Sequence, residues 1–273
     1  MAKRFKGKIV LVNGGASGMG EEIVKLLVKA GAVVILADRN AERGSKLVAK
    51  LRRRGGAIAF HEVELLQEKQ VEKLYADVLL KHKQIDYVFN IAGSFMAGEI
   101  RDTPLKNWHY ILEEDTFAVV NGTHYAYQAM LTQGSGHIVN MGSSAGLFPV
   151  PTMGIYGASK YAIVGLTHAL RIEAKALGIK ASVICPIIVN TPLYDAAVYN
   201  SMDKKRFLKT RHFVQRPQTA AKRILKGVAR NKATIHTSVL GQLGWRLVRY
   251  TPPLWDLIAR GMIGGFRKTL RTK

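Results

Sequence analysis

Residues 8–20 read Lys8-Ile-Val-Leu-Val-Asn-Gly14-Gly-Ala-Ser-Gly18-Met-Gly20. The apolar, β-branched run at the start is typical of a buried parallel strand, and residues 21–30 have the apolar spacing of a helix. A glycine-rich turn between a strand and a helix lets the backbone approach a pyrophosphate, to which the helix N-terminus offers free N–H groups. The stretch therefore predicts a dinucleotide site at the first turn of an α/β fold. A plain glycine-rich turn without a ligand is the alternative.

A second strand indicates which dinucleotide is bound. Residues 32–37 are apolar and end in Asp38, eighteen residues after Gly20. A carboxylate there accepts hydrogen bonds from the ribose hydroxyls and repels a 2′-phosphate. The pattern therefore favours NAD(H) over NADP(H) as the cofactor. Arg39 leaves an alternative open, since its guanidinium can pair with a 2′-phosphate or stand solvated at the strand end.

Tyr156 and Lys160 are four residues apart and follow Ser143 by thirteen and seventeen residues. Residues four apart share a helix face, so the phenol and the ammonium can meet. An ammonium favours the phenolate and lowers the pKa of the tyrosine toward the range of a general base. The Ser143 hydroxyl can orient a carbonyl or alcohol oxygen. This set predicts proton transfer at an alcohol or ketone carbon while a cofactor carries the hydride.

Five ordered motifs give the chain a family resemblance. They are Gly14 to Gly20, Asp38, Asn90-Ile-Ala-Gly93, Ser143 and Tyr156-Gly-Ala-Ser-Lys160. With them the chain resembles the classical short-chain dehydrogenase/reductase (SDR) family from about residue 8 to residue 191. The resemblance implies a doubly wound parallel sheet of seven strands, the Rossmann fold, in an SDR domain at residues 1–239. It also implies a homodimer or homotetramer.

The resemblance assigns roles to individual residues. Ser143, Tyr156 and Lys160 would be catalytic, with Asp115 supporting a proton relay to Lys160. Residues from several turns would hold the cofactor: Gly14, Ala16, Ser17, Gly18, Met19, Gly20, Asp38, Arg39, Glu64, Leu65, Asn90, Ala92, Gly93, Tyr156, Lys160, Pro186, Val189 and Thr191. The segment that begins at Pro186 would close over the nicotinamide.

Four residues depart from the family pattern. Asn13 replaces the usual threonine, Ile91 the second asparagine of the usual Asn-Asn-Ala-Gly, and Ile187 the glycine after the proline. Asp115 stands where the family usually has an asparagine. If the asparagine acts through its backbone carbonyl, aspartate can substitute. If it acts through its side chain, a carboxylate near Lys160 stabilises the ammonium and alters the relay.

Composition excludes several function classes. The one cysteine, Cys185, ends an apolar strand and is expected to be a buried thiol in a reducing compartment. The eight histidines are scattered without ligand spacing, so no metal site is expected. No stretch has the roughly 18 apolar residues of a spanning helix, and the first apolar run is too short for a signal peptide. These features predict a cytoplasmic protein.

The net charge of +22 is concentrated near the end of the chain, where residues 201–273 hold 18 Lys and Arg against 2 acidic residues. Residues 192–216 are polar and irregular and match the family's mobile substrate loop. Residues 218–231 predict a helix and 234–239 a last strand. Residues 240–273 form a basic amphipathic extension, which Pro252-Pro253 breaks into two short helical pieces.

The sequence of the extension is compatible with three locations: a membrane interface, the substrate site and a subunit interface. Tryptophan beside arginine on an amphipathic helix is typical of a membrane interface, where basic residues add attraction to anionic lipid. This would make the protein peripherally membrane-associated. The same apolar side chains can instead cap the substrate site or bury in a subunit interface. High charge also suggests nucleic acid, but the chain carries no nucleic-acid motif.

Apolar residues near the site predict the substrate. Phe148, Pro149, Met153, Tyr194 and Trp245 are expected to bind, together with Ser143, a hydrophobic alcohol or ketone such as a steroid, a retinoid, a fatty alcohol or a bulky ketone. The predicted function is an NAD-dependent short-chain alcohol dehydrogenase or ketoreductase. Two alternatives remain: an NAD(H)-binding sensor or scaffold without turnover, and a membrane-surface protein built on the fold.

Overall fold

A computed structural model describes residues 2–209 and 214–272. The strands are β1 Ile9–Asn13, β2 Val33–Asp38, β3 Ile58–Glu62, β4 Tyr87–Asn90, β5 Met96–Ala97, β6 Gly136–Met141, β7 Ile179–Cys185, β8 Val198–Tyr199 and β9 Thr234–His236. The helices are α1 Ala2–Phe5, α2 Gly18–Lys29, α3 Ala41–Arg52, α4 Glu68–His82, α5 Leu105–Leu112, α6 Ala118–Gln133, α7 Gly154–Glu173, α8 Lys204–Lys209, α9 Pro217–Ala229, α10 Val239–Tyr250 and α11 Pro252–Thr269.

Seven strands form one parallel sheet in the order β3-β2-β1-β4-β6-β7-β9. The chain moves outward from β1 to β3 and then returns to β4 on the other side of β1. In such a sheet ligands bind in the crevice beyond the carboxyl ends of the strands at this reversal. The predicted doubly wound fold with seven parallel strands is confirmed.

The sheet is buried on both faces, which explains the continuous apolar run in β1. Val10 and Val12 pack with α2, α3 and α9, whereas Ile9 and Leu11 pack with α4, α6 and α7. All five residues of β1 are buried. Because neither face of the strand meets water, alternation of polar and apolar residues is absent from its sequence.

The last third of the chain differs from the prediction in two places. The predicted strand 234–239 ends at His236, because Ser238 caps α10 by accepting a hydrogen bond from the Gly241 N–H at 3.0 Å. The pieces after residue 240 are full helices of 12 and 18 residues rather than short ones. Pro252 occupies the first turn of α11, where it needs no N–H partner.

The predicted substrate loop, residues 192–216, carries ordered structure over its described part. Its β8 pairs with β5 in a separate two-stranded parallel sheet, and α8 follows. Residues 210–213 of the loop lie outside the described residues. Among the described residues, no helix is both long enough and apolar enough to cross a membrane.

Candidate active site

Three asparagines form a buried polar layer at the carboxyl ends of β1, β4 and β6. Asn13 Nδ2 donates to Asn90 Oδ1 at 2.7 Å, and Asn90 Nδ2 donates to Asn140 Oδ1 at 2.8 Å. This layer explains Asn13, whose longer side chain reaches across to β4. The side chain of Asn90, which was expected to hold the cofactor, ties neighbouring strands together and lies outside the linings of the two cavities described below.

The glycine turn forms a cradle with no room for side chains. Gly14 and Gly18 have φ of +80° and +55°, a region that favours glycine. A Cβ on Gly14 would meet the backbone N of Ala92 at 2.5 Å, and one on Gly20 would overlap the carbonyl oxygen of Gly14. Since α2 begins at Gly18, its first N–H groups have no partners inside the helix. The cradle fits the pyrophosphate of a dinucleotide.

Asp38, at the end of β2, stabilises the glycine turn by accepting a backbone hydrogen bond from it. Its Oδ2 accepts from the Ala16 N–H at 2.9 Å, and its Oδ1 accepts from the Asn40 N–H at 3.0 Å. Each carboxylate oxygen keeps further acceptor capacity for a ribose hydroxyl. Ala16, which was expected to bind the cofactor, is itself buried and lies outside the lining of the cavity at the turn.

Arg39 is engaged by two carboxylates at the rim of this cavity. Its guanidinium lies 3.2 Å from Glu114 and 3.8 Å from Glu64. Both acids and Asp38 line a cavity of about 200 Å³ next to the glycine turn. The cavity lining thus combines three carboxylates with one guanidinium, which is paired with two of them.

Most of the residues predicted to hold the cofactor line one of two adjoining cavities. The cavity of about 200 Å³ is lined by Gly14, Ser17, Gly18, Met19, Gly20, Asp38, Arg39, Glu64, Leu65, Ala92, Gly93 and Thr191. The second, of about 1030 Å³, is lined by Met19, Gly93, Tyr156, Lys160, Pro186, Val189 and Thr191. Because Met19, Gly93 and Thr191 line both, the two cavities meet at these residues.

The proposed catalytic side chains lie together where the cavities meet. Ser143, Tyr156 and Lys160 line the larger cavity, with Ser143 at the end of β6 and the other two on α7. A π-helical turn at Glu113–Phe117 carries Asp115 toward them. Such turns insert one extra residue into a helix and are frequent at functional sites.

Asp115 is completely buried beneath this cluster. Its Oδ2 lies 3.2 Å from Lys160 Nζ and accepts from Ser159 Oγ at 3.2 Å, while its Oδ1 accepts a short hydrogen bond from the Ser94 N–H. Burial raises the pKa of Asp115, and the Lys160 ammonium opposes that shift. The carboxylate that stands where the family usually has an asparagine thus contacts Lys160, Ser159 and Ser94 through its side chain.

The sequence predicted a lowered pKa for Tyr156, but in the structure this pKa is raised. Burial raises it well above its ordinary value, the Asp115 carboxylate raises it further, and a hydrogen bond with Ser143 opposes the shift. Lys160 Nζ lies 5.5 Å from the centre of the phenol ring and is paired with Asp115. The lowering by Lys160 that the sequence predicted is therefore wrong: burial and the Asp115 carboxylate raise the pKa of Tyr156 and favour its neutral phenol.

The larger cavity is mostly apolar. Phe148, Met153 and Tyr194 line it, as predicted. Pro149 and Trp245 do not belong to its lining: Pro149 is exposed, and the Trp245 ring packs 5.8 Å from that of His236. Trp255 takes the place predicted for Trp245, since it stacks edge-on against Phe148 at 5.1 Å and donates from Nε1 to the Pro149 carbonyl at 3.0 Å.

Much of the cavity lining was missed by sequence reasoning. Phe95 follows β4, Met202 lies between β8 and α8, and Phe207 is on α8; the extension adds Leu240, Leu243, Leu247, Met262, Phe266 and Leu270. The sequence showed that α10 and α11 each carry an apolar stripe, but it did not show which part of the protein these stripes contact. Ile187, unusual at its position, lines the cavity and contacts α10 near Gly241.

A family model described as short chain dehydrogenase matches residues 8–200. A 2,5-dichloro-2,5-cyclohexadiene-1,4-diol dehydrogenase of Sphingobium indicum is 33% identical over 214 residues, covering 78% of this chain and 84% of the relative. A Burkholderia phymatum short-chain dehydrogenase/reductase solved with NAD has a TM-score of 0.83 at 25% identity, covering 92% of this chain and 96% of its own. A Sphingobium yanoikuyae short-chain dehydrogenase solved with NADPH has a TM-score of 0.75 at 22% identity, covering 95% of both chains.

Proposed function

This chain belongs to the short-chain dehydrogenase/reductase family, and we propose that it moves a hydride between NAD(H) and a hydrophobic secondary or primary alcohol. The observation that carries the proposal is the apolar cavity of about 1030 Å³, which holds Ser143, Tyr156 and Lys160 and adjoins the glycine cradle. A steroid, a retinoid, a fatty alcohol or a bulky ketone matches a site of this size and character.

Hydride transfer needs one partner that the protein does not supply. A bound nicotinamide would supply the acceptor for the hydride of the alcohol carbon, and its oxidised form would add a positive charge to the site. The alcohol loses one hydride and one proton and becomes the carbonyl compound. The task of the protein is to hold both reactants in place and to remove that proton.

Each polar residue at the junction has a distinct task in this proposal. Ser143 donates a hydrogen bond to the substrate oxygen, and Tyr156 accepts its proton during oxidation or donates one during reduction. Lys160 would hold the nicotinamide ribose, and Asp115, whose Oδ2 lies 3.2 Å from Lys160 Nζ, would position the ammonium. The neutral phenol that burial of Tyr156 favours is the form required for carbonyl reduction, whereas oxidation requires the phenolate, which a nearby positive charge favours.

The preference for NAD(H) rests on charge. Asp38, Glu64 and Glu114 line the cavity at the glycine turn, and Arg39 is already paired with two of these acids. A 2′-phosphate would have to displace those ion pairs and approach Asp38. A ribose diol only has to donate hydrogen bonds to the Asp38 carboxylate.

The number of subunits and the location of the protein depend on its surface rather than on its active site. A homodimer or homotetramer is supported by apolar side chains exposed on α7: Tyr161, Leu166 and Ile172 are 44%, 36% and 78% exposed. Light scattering after size exclusion would give the number of subunits. Peripheral attachment to a membrane is a separate proposal, because it depends on the extension and not on the chemistry.

The test of the reaction is nicotinamide absorbance during turnover of a panel of lipophilic alcohols, with NAD⁺ and NADP⁺ supplied separately. We expect turnover with NAD⁺ that Tyr156→Phe abolishes. Tyr161→Phe is the matched control, since that exposed tyrosine is on the same helix and outside both cavities. Cofactor binding without turnover of any alcohol would instead favour a sensor or scaffold.

A further inference from the structure

The two C-terminal helices expose an unusual amount of apolar surface. Within the described residues, sixteen large apolar side chains are strongly exposed, and eight of them fall between residues 239 and 262. They are Val239, Leu240, Leu243 and Tyr250 on α10 and Leu254, Leu257, Ile258 and Met262 on α11, with exposures from 41% to 76%. Apolar surface concentrated in this way marks an interaction site rather than ordinary surface variation.

These side chains form one continuous stripe along each helix. On α10, positions 239, 243 and 250 follow the helical repeat, and on α11 positions 254, 257, 258 and 262 do the same. Leu240, Leu243 and Met262 also line the larger cavity, although each is more than 40% exposed. Both stripes therefore reach the mouth of that cavity. We call these eight residues the outer face.

The opposite side of the helix pair is firmly attached to the fold. Trp255 and Phe266 are buried, and Arg267 makes a two-pronged ion pair with the buried Glu99, its Nη2 lying 2.7 Å from Oε2. Arg271 adds a pair with Asp102 at 3.0 Å. Because the inner side is packed and paired, the outer face is a surface of the folded protein and not a consequence of an undocked tail.

Unpaired positive charge accompanies the outer face. Arg246, Arg249 and Arg260 are exposed, and none of the three makes an ion pair within the described part of the chain. Asp256 is the one acidic residue in residues 239–272. Apolar side chains interspersed with arginines on helices that lie flat on a protein are what an anionic lipid surface binds.

We propose that the outer face docks on an anionic lipid bilayer, with α10 and α11 in the plane of the interface and the cavity mouth turned toward the lipid. A second copy of the chain is a weaker occupant, since a two-fold interface would bring the same unpaired arginines against each other. Docking itself needs no catalysis. That a lipophilic substrate enters the cavity from the bilayer rests on the proposed function.

Vesicle sedimentation of the whole 273-residue chain tests the docking. We expect binding to vesicles of phosphatidylcholine with phosphatidylserine, weakened by salt, and little binding to phosphatidylcholine alone. The apolar variant is Val239→Ser/Leu257→Ser/Ile258→Ser, at positions outside the cavity lining, and it should abolish binding. Arg249→Gln/Arg260→Gln should weaken it by roughly 30-fold, at about tenfold per 1.4 kcal/mol.

Controls separate docking from other outcomes. Arg53→Gln/Arg54→Gln removes two exposed charges that follow α3 and should leave binding unchanged. The proposal fails if wild type does not sediment, if the apolar variant binds as well as wild type, or if the apolar variant dissociates an oligomer while vesicles bind neither protein. Turnover of a water-soluble alcohol, measured on the same samples, reports on the reaction independently.

Discussion

Asp115 Oδ2 lies 3.2 Å from Lys160 Nζ, and the two side chains are 0% and 3% exposed. Burial raises the pKa of the Asp115 carboxyl, and the attraction of the nearby Lys160 ammonium opposes that shift. Burial raises the pKa of Tyr156 well above its ordinary value, and the Asp115 carboxylate of this pair raises it further. Any account of proton transfer in this site has to begin from that pair.

Replacing Asp115 by asparagine should move the pH dependence of alcohol oxidation to lower pH. The carboxylate is the second cause of the raised pKa of Tyr156, so its removal lowers that pKa, and the phenolate needed for oxidation forms at lower pH. Burial remains, so the shift is partial. The measurement is kcat against pH for Asp115→Asn, with the surface variant Asp77→Asn as the control; an unchanged or upward-shifted profile would contradict the assignment.

The variant Asp115→Ala should show how much the Asp115–Lys160 pair contributes to the free energy of unfolding, independently of its effect on the reaction. It leaves the buried Lys160 ammonium without an acceptor, which costs about 3–5 kcal/mol of unfolding free energy. Asparagine keeps an acceptor oxygen and should lose much less. Urea unfolding of the two variants side by side gives the comparison, and equal stabilities would mean that the Asp115–Lys160 pair contributes nothing to the fold.

Glu99→Gln should loosen the attachment of α11 in a pH-dependent way. Hydrogen bonds from Arg267 lower the pKa of Glu99 to about 2, so its contribution is present above the ordinary carboxyl pKa and is lost as pH falls toward 2. At neutral pH we expect a loss of about 1–3 kcal/mol in unfolding free energy. The difference from wild type should shrink below pH about 4.

The control for this prediction is Glu42→Gln, which removes an exposed ion pair with Lys46 in α3. Exposed pairs of this kind contribute about 0–1 kcal/mol, so its effect should be small at any pH. If both variants lose the same stability, Glu99 is an ordinary surface charge and does not fasten α11.

Asp38→Asn should change the choice of cofactor while the glycine turn stays in place. The amide oxygen can still accept from the Ala16 N–H, but the negative charge that opposes a 2′-phosphate is gone. We expect kcat/KM with NAD⁺ to fall by about 10–100-fold and activity with NADP⁺ to rise. Adding Arg39→Gln should remove the NADP⁺ gain, and a wild-type enzyme that already prefers NADP⁺ would overturn the assignment.

Gly241→Ala should destabilise the wild-type protein but stabilise a protein that already carries Ile187→Ala. A Cβ at this position would lie 2.8 Å from Cγ2 of Ile187, so the substitution should destabilise the wild-type protein. When Ile187→Ala has removed that atom, the higher helix propensity of alanine should stabilise α10 by up to about 1 kcal/mol. Thermal unfolding of the four proteins in this cycle measures the reversal. Additive effects would show that α10 does not rest on Ile187.

The two tryptophans of the helix pair should differ in their effect on substrate binding. Trp255→Phe loses the hydrogen bond to Pro149 and ring surface beside the cavity, so KM for bulky alcohols should rise roughly tenfold. Trp245→Phe should leave KM nearly unchanged, because its ring packs on His236 outside the lining. KM measured with one bulky and one small alcohol distinguishes the two, and an equal effect of both variants would contradict the assignment of Trp255.

The sequence alone predicted the parts of the protein that depend on local pattern. The apolar run of β1 needs burial on both faces, the glycines are required wherever backbone meets backbone, and the spacing of Tyr156 and Lys160 places both on one helix face. These constraints act over a few residues, so they can be recognised without knowing what lies opposite them. They indicated an α/β fold, the glycine cradle and the grouping of Ser143, Tyr156 and Lys160, whereas the sheet of seven parallel strands followed from the family resemblance.

Only the tertiary structure decided what depends on distant partners. The direction of the Tyr156 pKa follows from burial and from Asp115, 41 residues away in sequence, and the side chain of Asn90 is directed by asparagines on neighbouring strands. The amphipathic pattern of residues 240–273 predicted helices with one apolar side but not which surface would cover it. The position of α11 depends on long-range contacts with Phe148 and Glu99, and these contacts place Trp255 rather than Trp245 at the cavity. The apolar periodicity within a helix does not indicate which distant residues it will contact.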